Sequence, residues 1–194
     1  MLRRSLGVAP FASAFMLLSR AMAQPAGKIP LSIGFVNFSG EDLAPLARED
    51  SSVLSPLFAR STSPPVGKIP AANVLFVYAH LNSDGTIKGL TSVGIRQVAQ
   101  ATKAAIVVLA SENPSDALVK AGGFPGPKSA NIVLTTNRNG PGFSRFFRML
   151  FERMRDGEDM LRAWVEIAPQ SPTQDPSQPG TILLAEAGRL AFPK

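Results

Sequence analysis

The chain has 194 residues, no cysteine and a single histidine. Without cysteine it forms no disulfide, has no thiol nucleophile and offers no thiolate to a metal ion. Its 20 lysines and arginines exceed its 14 acidic residues, but they form no dense basic stripe interleaved with aromatic residues, so the composition does not favour nucleic-acid binding.

The first 23 residues have the composition of a secretory signal peptide. Two arginines precede an apolar run that extends to about Leu18, and the small-x-small pattern Ala21-Met22-Ala23 follows. Because a bilayer span takes roughly 20 apolar residues, this run is too short for a comfortable transmembrane helix. We predict a signal peptide at residues 1–23 and one periplasmic or secreted domain at residues 24–194, with an uncleaved anchor as the alternative. The arginine pair leaves both the general and the twin-arginine export routes open.

Five short apolar runs in the mature chain predict β-strands. Three of them are continuously apolar, which is typical of strands covered on both faces of a sheet. Since helical patterns separate the runs, they predict a mostly parallel sheet. The runs occupy residues 31–38, 74–79, 105–110, 131–136 and 181–185.

Four helices are predicted after the second strand, and two stretches look irregular. The clearest helix has apolar residues recurring at helical spacing along one side and arginines on the other. The irregular stretches are residues 39–70, with one weak helix near residues 43–57, and residues 169–180, which carry four prolines. The four helices are predicted at residues 93–101, from Pro114 to Gly122, at 142–155 and at 160–167.

The only histidine, His80, follows directly on the second predicted strand. Ser111, Glu112 and Asn113 follow the third. Because ligands of open α/β sheets bind outside the carboxyl ends of the strands, these residues would face one another if the two strands are neighbours. His80 could then act as a general base in a hydrolase with Ser111 or Glu112, oriented by Asp84 or by Glu112.

No catalytic set is complete around these residues. No Gly-x-Ser-x-Gly elbow surrounds Ser111, and Ser111 or Asn113 could instead cap the helix that follows. His80 could equally be a histidine at the edge of a loop with a structural hydrogen bond. We therefore treat His80, Asn82, Asp84 and Asn113 as a candidate ligand-binding set, although the segment around Asn82 and Asp84 is also typical of a turn.

Phosphate, metal and cofactor sites are not predicted. In the glycine-rich segment at residues 122–129, Pro127 separates the last glycine from Lys128, and a strand follows where a phosphate loop needs a helix. With one histidine, no cysteine and no Asp-x-Asp calcium loop, no metal-ligand pattern is present. A separate candidate is the arginine-rich side of the helix at residues 142–155, with Arg145 and Arg148, which could contact an acidic partner or simply be solvated.

In chain order, these segments resemble the caspase-like fold, in the version of the CHAT-type cysteine peptidases. In that family one strand ends in a histidine, usually followed by glycine, and a later strand ends in a motif that carries the nucleophilic cysteine. Here His80 ends the first such strand, Leu81 replaces the glycine, and Glu112 stands where the cysteine would be. The resemblance covers residues 74–168.

The resemblance implies a three-layer α/β sandwich with a mostly parallel five- or six-stranded sheet. It also implies no peptidase activity, because a carboxylate does not replace a polarizable thiolate. We therefore expect an exported pseudoenzyme, a non-catalytic caspase-like domain that binds or assembles with an envelope protein or peptide. The alternatives are a periplasmic hydrolase and a protein that works through its arginine-rich surface.

Overall fold

The computed structural model describes residues 27–65, 68–168 and 178–193. The predicted signal peptide and most of the predicted loop at residues 169–180 therefore lie outside the described residues. Within these ranges, six strands and five helices follow one another, with two short 3₁₀ turns. They are β1 (Ile29–Asn37), α1 (Ala44–Leu54), β2 (Phe58–Thr62), β3 (Val74–Tyr78), α2 (Ile95–Thr102), β4 (Ile106–Leu109), α3 (Ser115–Gly123), β5 (Asn131–Asn137), α4 (Gly142–Arg155), α5 (Met160–Ile167) and β6 (Gly180–Ala185).

All six strands form one sheet in the order β2-β1-β3-β4-β5-β6. The first five pair parallel with one another, and β6 runs antiparallel to β5. The prediction of an α/β fold with a mostly parallel sheet of five or six strands is confirmed, and the sheet has six. From β1 the chain moves outward to β2 and then crosses back to β3, so the direction of winding reverses between β1 and β3.

Alternate residues of the central strands belong to two separate hydrophobic clusters. In β3, Phe76 packs with side chains of α1, α4 and α5, whereas Leu75 and Val77 pack with side chains of α2 and α3. Because successive side chains of a strand point to opposite faces, the two clusters lie on opposite faces of the sheet. The apolar stripe of α4 is buried as predicted, and Phe76 makes an edge-to-face contact with Phe147, with ring centroids 5.2 Å apart.

One strand lies where the sequence predicts irregular structure. In β2 only the first residue, Phe58, is buried, and the next four are exposed. An edge strand of this kind has no apolar run and no clear alternation, so periodicity does not reveal it. Backbone pairing with β1 defines it.

The weak helix predicted near residues 43–57 is present as α1. Across the described ranges, no helix combines the length and the apolar character that crossing a membrane requires.

Candidate functional site

The two strands that precede the candidate residues are direct neighbours. β3 and β4 are parallel, and Val77 pairs with Leu109 near their carboxyl ends. The backbone ladder extends one step further, because the N–H of Ala110 donates to the carbonyl of Val77 at 2.7 Å. His80 and Ser111 therefore follow on the same rim of the sheet, which is the condition that the predicted site required.

Ser111 and Asn113 tie the end of β4 to the end of β3. The hydroxyl of Ser111, a residue only 1% exposed, donates to the carbonyl of Ala79 at 2.6 Å and accepts its N–H at 3.0 Å. The Asn113 amide accepts the N–H of Leu81 at 2.7 Å and donates to Ala79. The predicted capping role is wrong, because α3 begins at Ser115 without a side-chain cap. Both side chains instead satisfy backbone groups of the chain beyond β3.

Glu112 points to the other side of β4, toward the end of β5. Its carboxylate accepts the backbone N–H of Arg138 at 2.6 Å. The Arg138 guanidinium is buried and donates to both carboxylate oxygens of Asp50, at 2.9 and 3.0 Å, and to the carbonyl of Ala110. Glu112 thus helps to position a buried arginine, and it contacts no group of the cleft described below.

The Asp50 carboxylate is the centre of a buried polar network. It accepts the Tyr78 hydroxyl at 2.7 Å as well as the Arg138 guanidinium, which lies 3.9 Å from the centroid of the Phe143 ring. Burial raises the pKa of Asp50, and the hydrogen bonds and charge of Arg138 oppose that rise. Burial also raises the pKa of Tyr78 well above 10.0, and the nearby charge of Asp50 adds to this.

His80 pairs with Asp42, which is neither of the two acids predicted to orient it. Its ring Nε2 lies 2.6 Å from Oδ2 of Asp42, and its backbone N–H donates to the Ser39 hydroxyl at 3.3 Å. The two paired side chains are 40% and 68% exposed, so the pair faces solvent. Of the two predicted orienting acids, Glu112 binds Arg138, and Asp84 binds within its own turn. The position of Asp42 follows from the adjacency of β1 and β3, which periodicity does not give.

Asn82 and Asp84 hold the predicted turn. The Asp84 carboxylate accepts the N–H and the hydroxyl of Thr86 at 2.9 and 2.6 Å, and these bonds lower the pKa of Asp84. The Asn82 amide donates to the same hydroxyl, and the N–H of Gly85 donates to the carbonyl of Asn82. Of the candidate ligand-binding set, only His80 lines the cleft at this rim.

That cleft, which we call the switch-point cleft, has a volume of about 370 Å³. It lies between the carboxyl ends of β1 and β3, where the winding of the sheet reverses. In open α/β sheets this reversal leaves a crevice between the connections that leave in opposite directions, and ligands bind there. The cleft is lined by Phe38, Ser39, Asp42, His80, Lys88 and Gly89.

A larger cleft of about 530 Å³ lies beside α1 and the end of β2. Phe35 and Asn37 of β1, Arg48 and Ser52 of α1, and Pro64 are among its lining residues. Its charged lining residues Glu41 and Arg48 form no ion pair within the described part of the chain, whereas the switch-point cleft contains the His80–Asp42 pair. We therefore assign the candidate site to the switch-point cleft.

Ion pairs neutralise much of the arginine-rich surface on α4. Arg148 binds Glu152 at 3.0 Å, and Arg153 binds both Glu158 and Glu166. Positive charge on this surface is thus matched by acids of the same helix, of α5 and of the loop between them. Such a surface is typical of a solvated helix face.

In the described part of the chain, no three His, Asp or Glu side chains come close enough together to hold a metal ion. Comparisons with known proteins give no relative. No family model matches the chain, and no match was found among curated proteins or among solved structures.

Proposed function

We propose that this chain is an exported, non-catalytic domain with a three-layer, caspase-like fold. It serves as a binding or assembly module in the cell envelope, and the switch-point cleft is its binding site. One observation carries this proposal: the cleft contains the paired His80 and Asp42 beside Lys88, whereas Ser111 and Glu112 are engaged in hydrogen bonds within the fold.

The resemblance to caspase-like domains has three kinds of support. The sheet is six-stranded and mostly parallel, with a hydrophobic cluster on each face. The strand that ends before His80 and the strand that ends before Ser111 are parallel neighbours, as the resemblance requires. Glu112, at the position of the family's cysteine, accepts a backbone N–H, so its carboxylate is engaged within the fold and does not face a substrate.

The signal-like sequence at residues 1–23 supports a periplasmic or secreted location.

The absence of catalysis is tested with the mature chain, residues 24–194. We expect no hydrolysis of peptide or ester substrates above the rate without protein, because no thiol is present and Ser111 is buried. Turnover by the mature chain that disappears in His80→Ala would contradict the proposal.

Binding is tested by nuclear magnetic resonance of the His80 ring, whose signals are unambiguous because the chain has one histidine. A library of polar fragments and short peptides, including anions, cations and zwitterions, is added to the mature chain. We expect some members to shift the ring signals saturably. If no member of the library shifts the ring signals saturably, the cleft is not a binding site.

A periplasmic hydrolase is the second candidate, favoured by the 2.6 Å approach of Asp42 to the His80 ring. A carboxylate in this position orients an imidazole and stabilises its protonated form during general-base catalysis. This candidate requires Ser111 or Glu112 to reach the substrate. It predicts that His80→Ala, Asp42→Asn and either Ser111→Ala or Glu112→Gln all abolish hydrolysis in the same assay.

A further inference from the structure

We infer that the switch-point cleft takes a small zwitterion, a free amino acid or short peptide that carries both an ammonium and a carboxylate group. This inference rests on the proposed binding function and specifies its ligand. It follows from charges of both signs that line one cleft and retain unused hydrogen-bonding capacity.

The acidic side of the cleft is Asp42. One of its carboxylate oxygens contacts the His80 ring, and the other accepts no hydrogen bond from any described residue. Because the side chain is 68% exposed, a ligand can reach that oxygen. A ligand ammonium group can bind such a carboxylate through a charge-assisted hydrogen bond.

The basic side of the cleft is Lys88. Its backbone N–H donates to the carbonyl of His80 at 2.8 Å, which fixes the lysine beside the histidine. Its side chain has no ion-pair partner among the described residues. The Ser39 hydroxyl accepts the His80 N–H and donates to no described acceptor, so its proton is available as well. An ammonium and a hydroxyl donor together suit a carboxylate.

The combination of both signs disfavours ligands with a single charge. A simple anion attracted by Lys88 would meet Asp42, and a simple cation attracted by Asp42 would meet Lys88. Such like-charge contacts add to specificity, because they weaken the binding of the wrong ligand and not that of the right one. The volume of about 370 Å³ falls within the range of sites for small molecules.

The test compares three probes on the mature chain through the His80 ring signals. Glycylglycine carries both charges, N-acetylglycylglycine only the carboxylate, and glycylglycinamide only the ammonium. We expect saturable shifts with glycylglycine and at least tenfold weaker binding of each singly charged probe. Equal binding of either singly charged probe would overturn the zwitterion inference while leaving the proposed binding function in place. No shift with any of the three would also overturn it, and the wider library then decides the binding function.

Matched variants assign the two charges to their residues. Asp42→Asn should weaken glycylglycine binding about tenfold, and so should Lys88→Gln. Glu41→Gln, one residue from Asp42 but outside the lining of this cleft, and Lys103→Gln, at a distant helix end, should leave it unchanged. Binding that is unaffected by both cleft variants contradicts the assignment.

Discussion

Ser111 is a potentially reactive side chain that the fold uses for support. Its hydroxyl bonds both the N–H and the carbonyl of Ala79, so it continues the pairing of β3 and β4 where the backbone ladder stops. The position of Ser111 at a strand end could be predicted from the sequence, but its role could not. A serine hydroxyl at that position can act as a nucleophile or form hydrogen bonds with the backbone. Only its distances to the N–H and the carbonyl of Ala79 decide between the two roles.

Replacing Ser111 by alanine should therefore lower the free energy of unfolding. The substitution leaves the buried N–H of Ala79 without its partner, which costs about 1–3 kcal/mol, whereas the Ala79 carbonyl keeps the Asn113 amide as a donor. Urea denaturation of the mature chain measures the loss. Ser129→Ala, at an exposed serine, is the control and should stay within about 0.5 kcal/mol of the parent. Equal stability of the two variants would contradict the structural role.

The burial of Tyr78 predicts that the stability of the fold decreases at alkaline pH. It is the only tyrosine of the chain, and its pKa is raised well above 10.0 by burial and by the charge of Asp50. Above pH 10 the unfolded chain releases this proton and the folded chain keeps it. The stability from Tyr78 is thus fully present below about pH 10 and is lost as pH rises toward the folded-state pKa.

Ultraviolet absorbance of tyrosinate follows this ionisation directly, and circular dichroism follows unfolding in the same samples. We expect the two transitions to coincide. Ionisation near pH 10 in a chain that remains folded would contradict the burial of the Tyr78 hydroxyl.

At the scale of elements, Asp50 and Arg138 join α1 to the chain that follows β5. Both side chains are buried, so removing one leaves the other charge without its partner, at a cost of about 3–5 kcal/mol. We expect Asp50→Leu and Arg138→Met each to destabilise by that order, and the double variant to lose less than the two losses combined. Thermal or urea denaturation of the four proteins gives the coupling energy.

The exposed pair Arg148–Glu152 on α4 provides the control for this cycle. Its arginine side chain is 54% exposed, and such pairs contribute about 0–1 kcal/mol. The same double-variant cycle at these positions should therefore show little coupling. A coupling energy at Asp50 and Arg138 no larger than this one would mean that the buried network does not hold the elements together.

Gly85 marks the contact between the turn after β3 and α3. Its φ is +86°, and a Cβ there would lie 2.4 Å from the backbone nitrogen of Ala121. Gly89 has a φ of +87° with nothing within 4 Å of its Cβ position, so it separates backbone strain from steric clash. Gly89→Ala should cost about 1–2 kcal/mol of stability, and Gly85→Ala clearly more. Similar losses of stability in the two variants would show that the turn at Gly85 is not in close contact with α3.

The elements that could be predicted from the sequence are those with one side buried in the core. The stripe of α4 predicted that helix with the bounds that it has, as did the shorter pattern of α5. β2 shows the opposite case, because its residues after Phe58 are exposed and backbone pairing alone forms it. The periodicity of apolar residues reveals an element that buries one side, and it does not reveal an element whose residues are exposed.

For the whole molecule, strand order is the information that periodicity along the sequence does not contain. The predicted site requires β3 and β4 to be adjacent, and they are. No pattern in the sequence shows that β1 borders β3, which brings Asp42 to His80 from 38 positions away. The predicted juxtaposition of His80 and Ser111 at one rim of the sheet is present, but the acid that contacts His80 is Asp42 and not Asp84 or Glu112.

The most direct measurement is a crystal structure of the mature chain soaked with glycylglycine. We expect ligand density in the switch-point cleft, within hydrogen-bond distance of Asp42 or Lys88. Density confined to other surfaces, such as the larger cleft beside Arg48, would contradict the assignment of the binding site.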